Sequence, residues 1–217
     1  MPDYATRRVT MVDTQVRPSD VTRYPVIDAM LRVPREVYLP ARLRDVAYAG
    51  ENHVPAPGEV VLAPRTLALM LQHLDLGPGD LVLDVGAGLG YSSAVAARLA
   101  QQVVALVADA DTAADAEAIH AAQEALNIAV VTGPLEAGAP RHGPFDAMMV
   151  QGGVEAFPDT LAAQLKDGGR VTCLFMDGAL GEVRLGVRLG GRMNWRKLFN
   201  ASAPVLPGFA RRPVFEF

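Results

Sequence analysis

An acid followed by three closely spaced glycines is the part of this sequence whose residue types could do chemistry. Asp84 precedes Gly86, Gly88 and Gly90 in the stretch LVLDVGAGLGYSS. A glycine turn between a strand and a helix lets the backbone approach a nucleotide closely. The dinucleotide fingerprint GxGxxG needs a third glycine where this chain has Tyr91. A carboxylate beside the turn suits an ammonium or a sulfonium better than a pyrophosphate. The turn therefore favours a cationic nucleotide ligand over NAD.

Alternating strand and helix signals surround this turn. Apolar runs predict strands at 81–85, 103–107, 128–132, 145–150 and 170–176, and helical spacing predicts helices at 25–31, 64–74, 92–100, 109–126 and 158–166. Strands that are apolar on both faces and joined by helices indicate a parallel sheet. Alternating apolar and polar residues flank Gly190 and Gly191, which predicts a C-terminal antiparallel hairpin. The prediction is an α/β fold with a mostly parallel, seven-stranded sheet.

Composition limits the classes of function. The chain has 217 residues, half of them hydrophobic, and a net charge of −4, which argues against general nucleic-acid binding. The single cysteine, Cys173, cannot form an internal disulfide and fits a reducing cytoplasm. No apolar run has the length of a signal peptide or of a bilayer span of roughly 20 residues. We therefore expect a cytoplasmic protein without a membrane partner; its oligomeric state stays open.

The pattern acid-x-Gly-x-Gly-x-Gly after a strand, together with the terminal hairpin, resembles the Rossmann-like class I methyltransferases. The stretches VPREVYLPARLRDVAYA, LAPRTLALMLQHLDLGPGDLVLDVGAGLGYSSAVAARLA and GPFDAMMVQGGVEAFPDTLAAQLKDGGRV narrow the resemblance to the protein-L-isoaspartate O-methyltransferase family. This similarity runs from about Val12 to Val171. It implies transfer of a methyl group from S-adenosylmethionine to the side-chain carboxylate of isoaspartyl residues, with a damaged protein or peptide as partner and S-adenosylhomocysteine as product. The ester then collapses to a succinimide.

The resemblance also implies a domain organisation. Residues 1–64 would form an N-terminal helical and loop extension packed on the core, and residues 65–217 the methyltransferase domain of a single globular unit. The tail 200–217 does not match the end of the family. Its apolar part, 204–209, would cover either the pocket or an oligomer contact.

Most of the cofactor-binding positions match the family pattern. The predicted set consists of Asp84, Gly86, Ala87, Gly88, Gly90, Tyr91 and Asp109. Ser92 and Ser93 follow the turn, and we expect their hydroxyls to cap the helix rather than to act as nucleophiles. None of the four histidines has the spacing of a metal ligand, so no metal is predicted.

The substrate position departs from the family. Leu62 stands where the family has a serine whose hydroxyl helps to place the isoaspartyl group. A hydrogen bond to a charged group contributes roughly 1.5–3 kcal/mol, which leucine cannot supply. His53, in the loop expected to cover the substrate, is the only candidate for a polar contact there, and no catalytic residue is assigned.

Two acidic positions that grip the nucleoside in the family are also changed. Val107 stands at the glutamate that holds the ribose, and Asp109 is the nearest substitute. Asp109 could equally be the N-cap of the following helix. Pro134 replaces the family's aspartate near the adenine amino group.

Three hypotheses remain open from the sequence. The chain could be a working methyltransferase of this family with a shifted ribose contact. It could keep the fold without catalysis and act as a binding or interaction module, since Leu62 replaces the serine. It could instead take a different adenine-containing ligand.

Overall fold

The computed structural model describes residues 3–211, and the last six residues of the tail, 212–217, lie outside the described part. The helices are α1 (Tyr4–Met11), α2 (Tyr24–Arg32), α3 (Pro64–Leu74), α4 (Tyr91–Ala97), α5 (Ala110–Ala122) and α6 (Asp159–Ala162). The strands are β1 (Leu81–Val85), β2 (Gln102–Val107), β3 (Ile128–Thr132), β4 (Phe145–Val154), β5 (Leu165–Asp177), β6 (Leu180–Leu189) and β7 (Arg192–Asn200). A π-helical turn (Val12–Val16) and short 3-10 turns (Arg17–Ser19, Arg35–Tyr38, Ala41–Val46, Leu135–Ala137) occupy parts of the connections.

The seven strands form one sheet in the order β3-β2-β1-β4-β5-β6-β7. The first five are parallel, and β6 and β7 are antiparallel to their neighbours, as the sequence predicts. Gly190 and Gly191 join β6 to β7 with φ angles of 55° and 78°, the left-handed backbone of a tight hairpin turn. The strands that follow β1 in the chain are added on one side of it as far as β3, and from β4 onward they are added on its other side. In open α/β sheets, ligands bind in the crevice outside the carboxyl ends of the strands at such a point.

One predicted helix is mostly wrong. We expected a helix over 158–166 that ends at Gly168 and Gly169, but α6 ends at Ala162 and β5 already begins at Leu165. Leu165 is 1% exposed and pairs with Phe145 of β4. The register then shifts before β5 resumes pairing at Arg170, so the glycines lie in an irregularity of the strand. Pairing with a distant strand overrides the local helical pattern here.

The N-terminal segment shares the core of the sheet. Helix α2 begins with Pro25 in its first turn, as expected from the missing N–H of proline. Met11 and Val26 belong to the same buried cluster as Leu67 and Val85. We propose that the described parts of the two segments, 3–64 and 65–211, fold as one unit, because their side chains share one buried cluster.

Among residues 3–211, no helix is both long enough and apolar enough to cross a bilayer.

Candidate active site

The glycine turn adopts the left-handed backbone that its residues suggest. Gly86, Gly88 and Gly90 have φ angles of 75°, 54° and 91°. The N–H groups of Gly86 and Ala87 donate to the carbonyl of Leu106 at 2.9 and 3.2 Å, which ties the turn to the end of β2. Helix α4 then starts directly after Gly90. The turn therefore lies at the carboxyl end of β1, at the switch point of the sheet.

His120 explains why the third glycine cannot carry a side chain. A Cβ on Gly90 would overlap Nε2 and Cε1 of His120, which comes from α5. His120 is 4% exposed and packs against the ring of Tyr38, with 5.7 Å between the ring centroids. Burial lowers the pKa of His120 to about 4, so the imidazole is neutral at pH 7.

Asp84 is enclosed by hydrogen-bond donors of the chain itself. Ser92 Oγ and Ser93 Oγ each donate to Asp84 Oδ2 at 2.6 Å, and Gln151 Nε2 donates to Oδ1 at 2.8 Å. The predicted capping role of Ser92 and Ser93 is therefore wrong, because their hydroxyls turn back to the strand; the cap position is Gly90. Burial raises the pKa of Asp84 to about 6, although these three hydrogen bonds oppose the shift. With 0% exposure Asp84 has no open surface, and direct contact with a cofactor stays a prediction.

A cavity of about 170 Å³ lies on one side of the turn, and we call it the nucleoside cavity. It brings together predicted residues and residues from three other segments: Ala56, Pro57, Gly58, Glu59, Gly86, Gly88, Val107, Ala108, Asp109, Thr112, Leu135 and Pro207. The interpretation of Asp109 as an N-cap is confirmed, because its Oδ1 accepts from the N–H of Thr112 at 2.8 Å. That bond is also the main cause of the lowered pKa of Asp109. Asp109 thus caps α5 and lines the cavity at once.

Glu59 is a carboxylate in this cavity that sequence reasoning missed. Thr112 Oγ1 lies 3.1 Å from Glu59 Oε1 and 2.9 Å from Asp109 Oδ2. One hydroxyl has one proton, so it can satisfy only one of these acceptors at a time. The cavity therefore has surplus acceptors and suits a ligand that brings donors. The available signal was the acid itself, which stands next to Gly58 in the loop before α3.

A second, much smaller cavity also borders the turn, and we call it the acceptor cavity. Its volume is about 10 Å³, and Val60, Val61, Leu62, Leu67, Ala87, Tyr91, Ser92 and Gln151 line it. Leu62 is 1% exposed, and its side chain fills the place where the sequence comparison expects a hydroxyl.

His53 lines neither of the two cavities, and its polar contact with the substrate stays a prediction. Its main chain forms a bridge with Val61, with hydrogen bonds of 2.9 and 2.8 Å. The imidazole is 4% exposed, its Nε2 has no partner, and burial lowers its pKa. The backbone of His53 shapes the loop, because pairing with Val61 turns its side chain into the core.

The segment 203–209 runs past the end of β4 to the nucleoside cavity, which Pro207 lines, and we call it the strap. Its backbone bonds to the end of β4: Gly153 N–H donates to Pro204 at 2.8 Å, and Leu206 N–H donates to Gly153 at 2.9 Å. The Leu206 side chain packs over Gly86 and Gly152, where a Cβ would come within 3.2 and 2.6 Å of it. The strap lies against the pocket, since Pro207 lines the nucleoside cavity. Its alternative role as an oligomer contact stays a prediction.

Comparison with known proteins assigns the family. Residues 7–176 match the family model described as protein-L-isoaspartate(D-aspartate) O-methyltransferase (PCMT). The chain belongs to the PCMT family. It is 41% identical over 172 residues to a protein-L-isoaspartate O-methyltransferase of Methylorubrum extorquens, covering 79% of this chain and 75% of that one. A protein of the same name from Herpetosiphon aurantiacus is 31% identical over 201 residues, covering 93% and 89%.

Solved structures share the fold. One named protein-L-isoaspartate O-methyltransferase superposes with a TM-score of 0.81 at 23% identity, covering 93% of this chain and 66% of that chain. A second, from Plasmodium falciparum, is a putative protein-L-isoaspartate O-methyltransferase in complex with S-adenosyl-L-homocysteine. Its TM-score is 0.77 at 18% identity, and the match covers 95% and 99% of the two chains. At these identities the likeness supports the Rossmann-like methyltransferase fold.

The two residues that replace acids of the family, Val107 and Pro134, lie at or next to the nucleoside cavity. Val107 lines the nucleoside cavity with an apolar side chain. Pro134 precedes the 3-10 turn Leu135–Ala137, whose first residue lines the same cavity. Glu59 and Asp109 are the acidic residues that line this cavity.

Proposed function

We propose that this chain is a PCMT enzyme that methylates the free carboxylate of isoaspartyl residues in proteins or peptides. The observation that carries the proposal is the glycine turn at the switch point, bordered by two cavities, in a chain of this family. A ligand of S-adenosylmethionine's type would span the turn. When bound, this cofactor supplies an electrophilic methyl group on a sulfonium.

The residues that line the nucleoside cavity suit the cofactor chemically, but the cavity is too small to hold it. Gly88 leaves its backbone open, and Glu59 and Asp109 offer carboxylate acceptors that two ribose hydroxyls can satisfy. The cavity volume of about 170 Å³ is below the roughly 300 Å³ at which ligand pockets begin. We therefore propose that Leu206 moves away from Gly86 when the cofactor binds.

The lining of the acceptor cavity supports a positioning mechanism. Its volume of about 10 Å³ is the space of roughly one water molecule, so we propose that the loop that carries Leu62 moves when an acceptor binds. The acceptor carboxylate is already an anion, so methyl transfer needs little acid–base chemistry, and the work of the chain is alignment and exclusion of water. Leu62 and Val60 are 1% and 3% exposed and keep solvent away. Ser92 and Gln151 contribute polar atoms, and both are held in place by Asp84. Ala87 and Tyr91 form the side next to the turn.

Calorimetry with S-adenosylhomocysteine, followed by a methyl-transfer assay on an isoaspartyl peptide, tests the function. We expect micromolar binding and transfer to the isoaspartyl peptide but not to its aspartyl isomer. Binding without transfer to either peptide would instead favour a binding module that has lost catalysis. Absence of binding at millimolar ligand would remove the proposal.

Replacing Glu59 by glutamine should weaken S-adenosylhomocysteine binding about tenfold, because the ribose loses a charged acceptor. Isothermal titration measures the change. Glu117→Gln is the matched control, since Glu117 is exposed on α5, the helix that also carries Thr112. An analogue without ribose hydroxyls should bind both Glu59 forms equally. A loss of the same size for that analogue would show that Glu59 does not contact the ribose.

Affinity for S-adenosylmethionine should rise as the pH rises through about 6, the raised pKa of Asp84. Below this pH the buried carboxyl is neutral, and above it the anion stabilises a nearby cation, so bound cofactor also lowers that pKa. Between pH 5 and 7 the ionised fraction of Asp84 rises about tenfold. The dissociation constant of S-adenosylmethionine should therefore fall by about the same factor. Asp84→Asn should give a flat profile. A flat profile in the unsubstituted protein would contradict an electrostatic role for Asp84.

We further propose a cytoplasmic location, supported by the buried, unpaired thiol of Cys173.

A further inference from the structure

A buried arginine without an acidic partner lies behind the acceptor cavity. Arg35 is 0% exposed. Its Nε donates to the carbonyl of Ala47 at 2.7 Å and its Nη2 to the carbonyl of Leu62 at 2.8 Å. Its Nη1 is buried and has no partner. Arginine is almost never fully buried unless its charge is paired, so this position asks for an explanation.

Glu36, the acid next to Arg35 in the sequence, is engaged elsewhere. Glu36 lies 3.6 Å from Arg8 and accepts a hydrogen bond from the hydroxyl of Tyr48. Within residues 3–211, no carboxylate forms an ion pair with Arg35. Burial lowers the pKa of Arg35, yet a guanidinium stays protonated in proteins. The core behind the loop therefore holds an uncompensated positive charge.

The guanidinium of Arg35 contacts two residues that line the acceptor cavity. The guanidinium carbon lies 4.7 Å from the ring centroid of Tyr91, and Nη2 bonds to the backbone of Leu62. Both residues line the cavity. One layer of protein thus separates the cation from the place where an acceptor would bind. Its field acts there with little screening, because the surroundings are buried.

We propose that Arg35 is the specificity residue that selects an anionic acceptor, by supplying the positive potential that Leu62 cannot. The inference rests on the proposed function and extends it from the family's activity to a role for one residue of this chain. Bringing a carboxylate into an apolar cavity costs free energy unless a charge compensates it. The acceptor carboxylate would in turn compensate Arg35, so each charge removes the burial cost of the other. Arg35 acts through the cavity wall and is a positioning residue rather than a catalytic one.

A cycle of two changes tests this role. The protein is varied by Arg35→Met, which removes the charge, and the ligand is varied from an isoaspartyl peptide to the isoasparaginyl peptide, which is neutral. In the unsubstituted protein we expect the carboxylate peptide to bind about 10- to 100-fold more tightly than the amide. In Arg35→Met this preference should shrink to about twofold or less. KM for the isoaspartyl peptide should rise with it, while the dissociation constant of S-adenosylhomocysteine stays the same within about twofold.

Further variants distinguish the effect of the charge of Arg35 from its structural support of the loop. Arg23→Met removes another arginine that donates to a carbonyl, that of Leu76, and should keep the preference. Arg35→Lys keeps a charge and should keep most of the preference. If Arg35→Met does not fold, Arg35→Gln also removes the charge and can be used for the same comparison of the two peptides.

Two negative results have different meanings. Equal weakening of both peptides by Arg35→Met would show that Arg35 only braces the loop, and it would overturn the inference while the enzyme stands. If the unsubstituted protein neither binds nor methylates the isoaspartyl peptide, the proposed function fails and the inference with it.

Discussion

Replacing Gly90 by alanine should destabilise this protein more than an alanine at any other glycine of the turn. The left-handed backbone costs an alanine roughly 1–2 kcal/mol, and overlap with His120 adds about 1–3 kcal/mol. Domains have total stabilities of roughly 5–15 kcal/mol, so the loss is a large share of the whole. The free energy of unfolding, measured by urea denaturation, should fall by about 2–5 kcal/mol. Cofactor binding should fall too, because the turn cannot keep its shape.

The chain offers a matched control for the backbone part of this loss. Gly190 has a φ of 55°, and a Cβ there meets nothing within 4 Å. Gly190→Ala should therefore show the strain without the overlap. The double variant Gly90→Ala with His120→Ala should recover the overlap part, which identifies His120 as the obstacle. Equal losses at Gly90 and Gly190 would contradict the packing argument.

The elements around the turn were predictable because their signals are local. Five apolar runs predicted the five parallel strands, and the glycine pair at 190–191 predicted the hairpin. The N-cap of α5 by Asp109 was also foreseen, since a cap bonds only three residues along the chain. Each of these features depends on neighbours in sequence, which a single sequence displays.

The hydrogen bonds and packing contacts of the site were not predictable, because they join segments that are distant in the sequence. Gln151 reaches Asp84 across 67 positions, and Thr112 reaches Glu59 across 53. The start of β5 depends on a partner strand, and the packing of Leu206 over Gly86 depends on a tail that departs from the family. The two serines after the turn show the same limit at short range: their spacing fits a cap, but the buried Asp84 is the stronger acceptor for their hydroxyls.

Leu62→Ser is the substitution with the largest expected gain in activity. The serine hydroxyl would donate to the acceptor carboxylate, and such a bond to a charged group is worth roughly 1.5–3 kcal/mol, or about 10- to 100-fold in kcat/KM. The gain comes with a loss of stability, because Leu62 is 1% exposed and truncation of a buried leucine costs about 2–5 kcal/mol. Both quantities should be measured, by methyl transfer to an isoaspartyl peptide at low temperature and by urea denaturation.

Leu62→Ala separates the hydroxyl from the space that it occupies. Both variants enlarge the acceptor cavity beyond its volume of about 10 Å³, but only serine adds a donor. We expect serine to exceed alanine by about tenfold or more in kcat/KM, at similar stability. If the two variants are equally active, the hydroxyl contributes nothing. Position 62 would then limit this enzyme only by its size, and the positive potential of Arg35 would be the main source of affinity for the acceptor carboxylate.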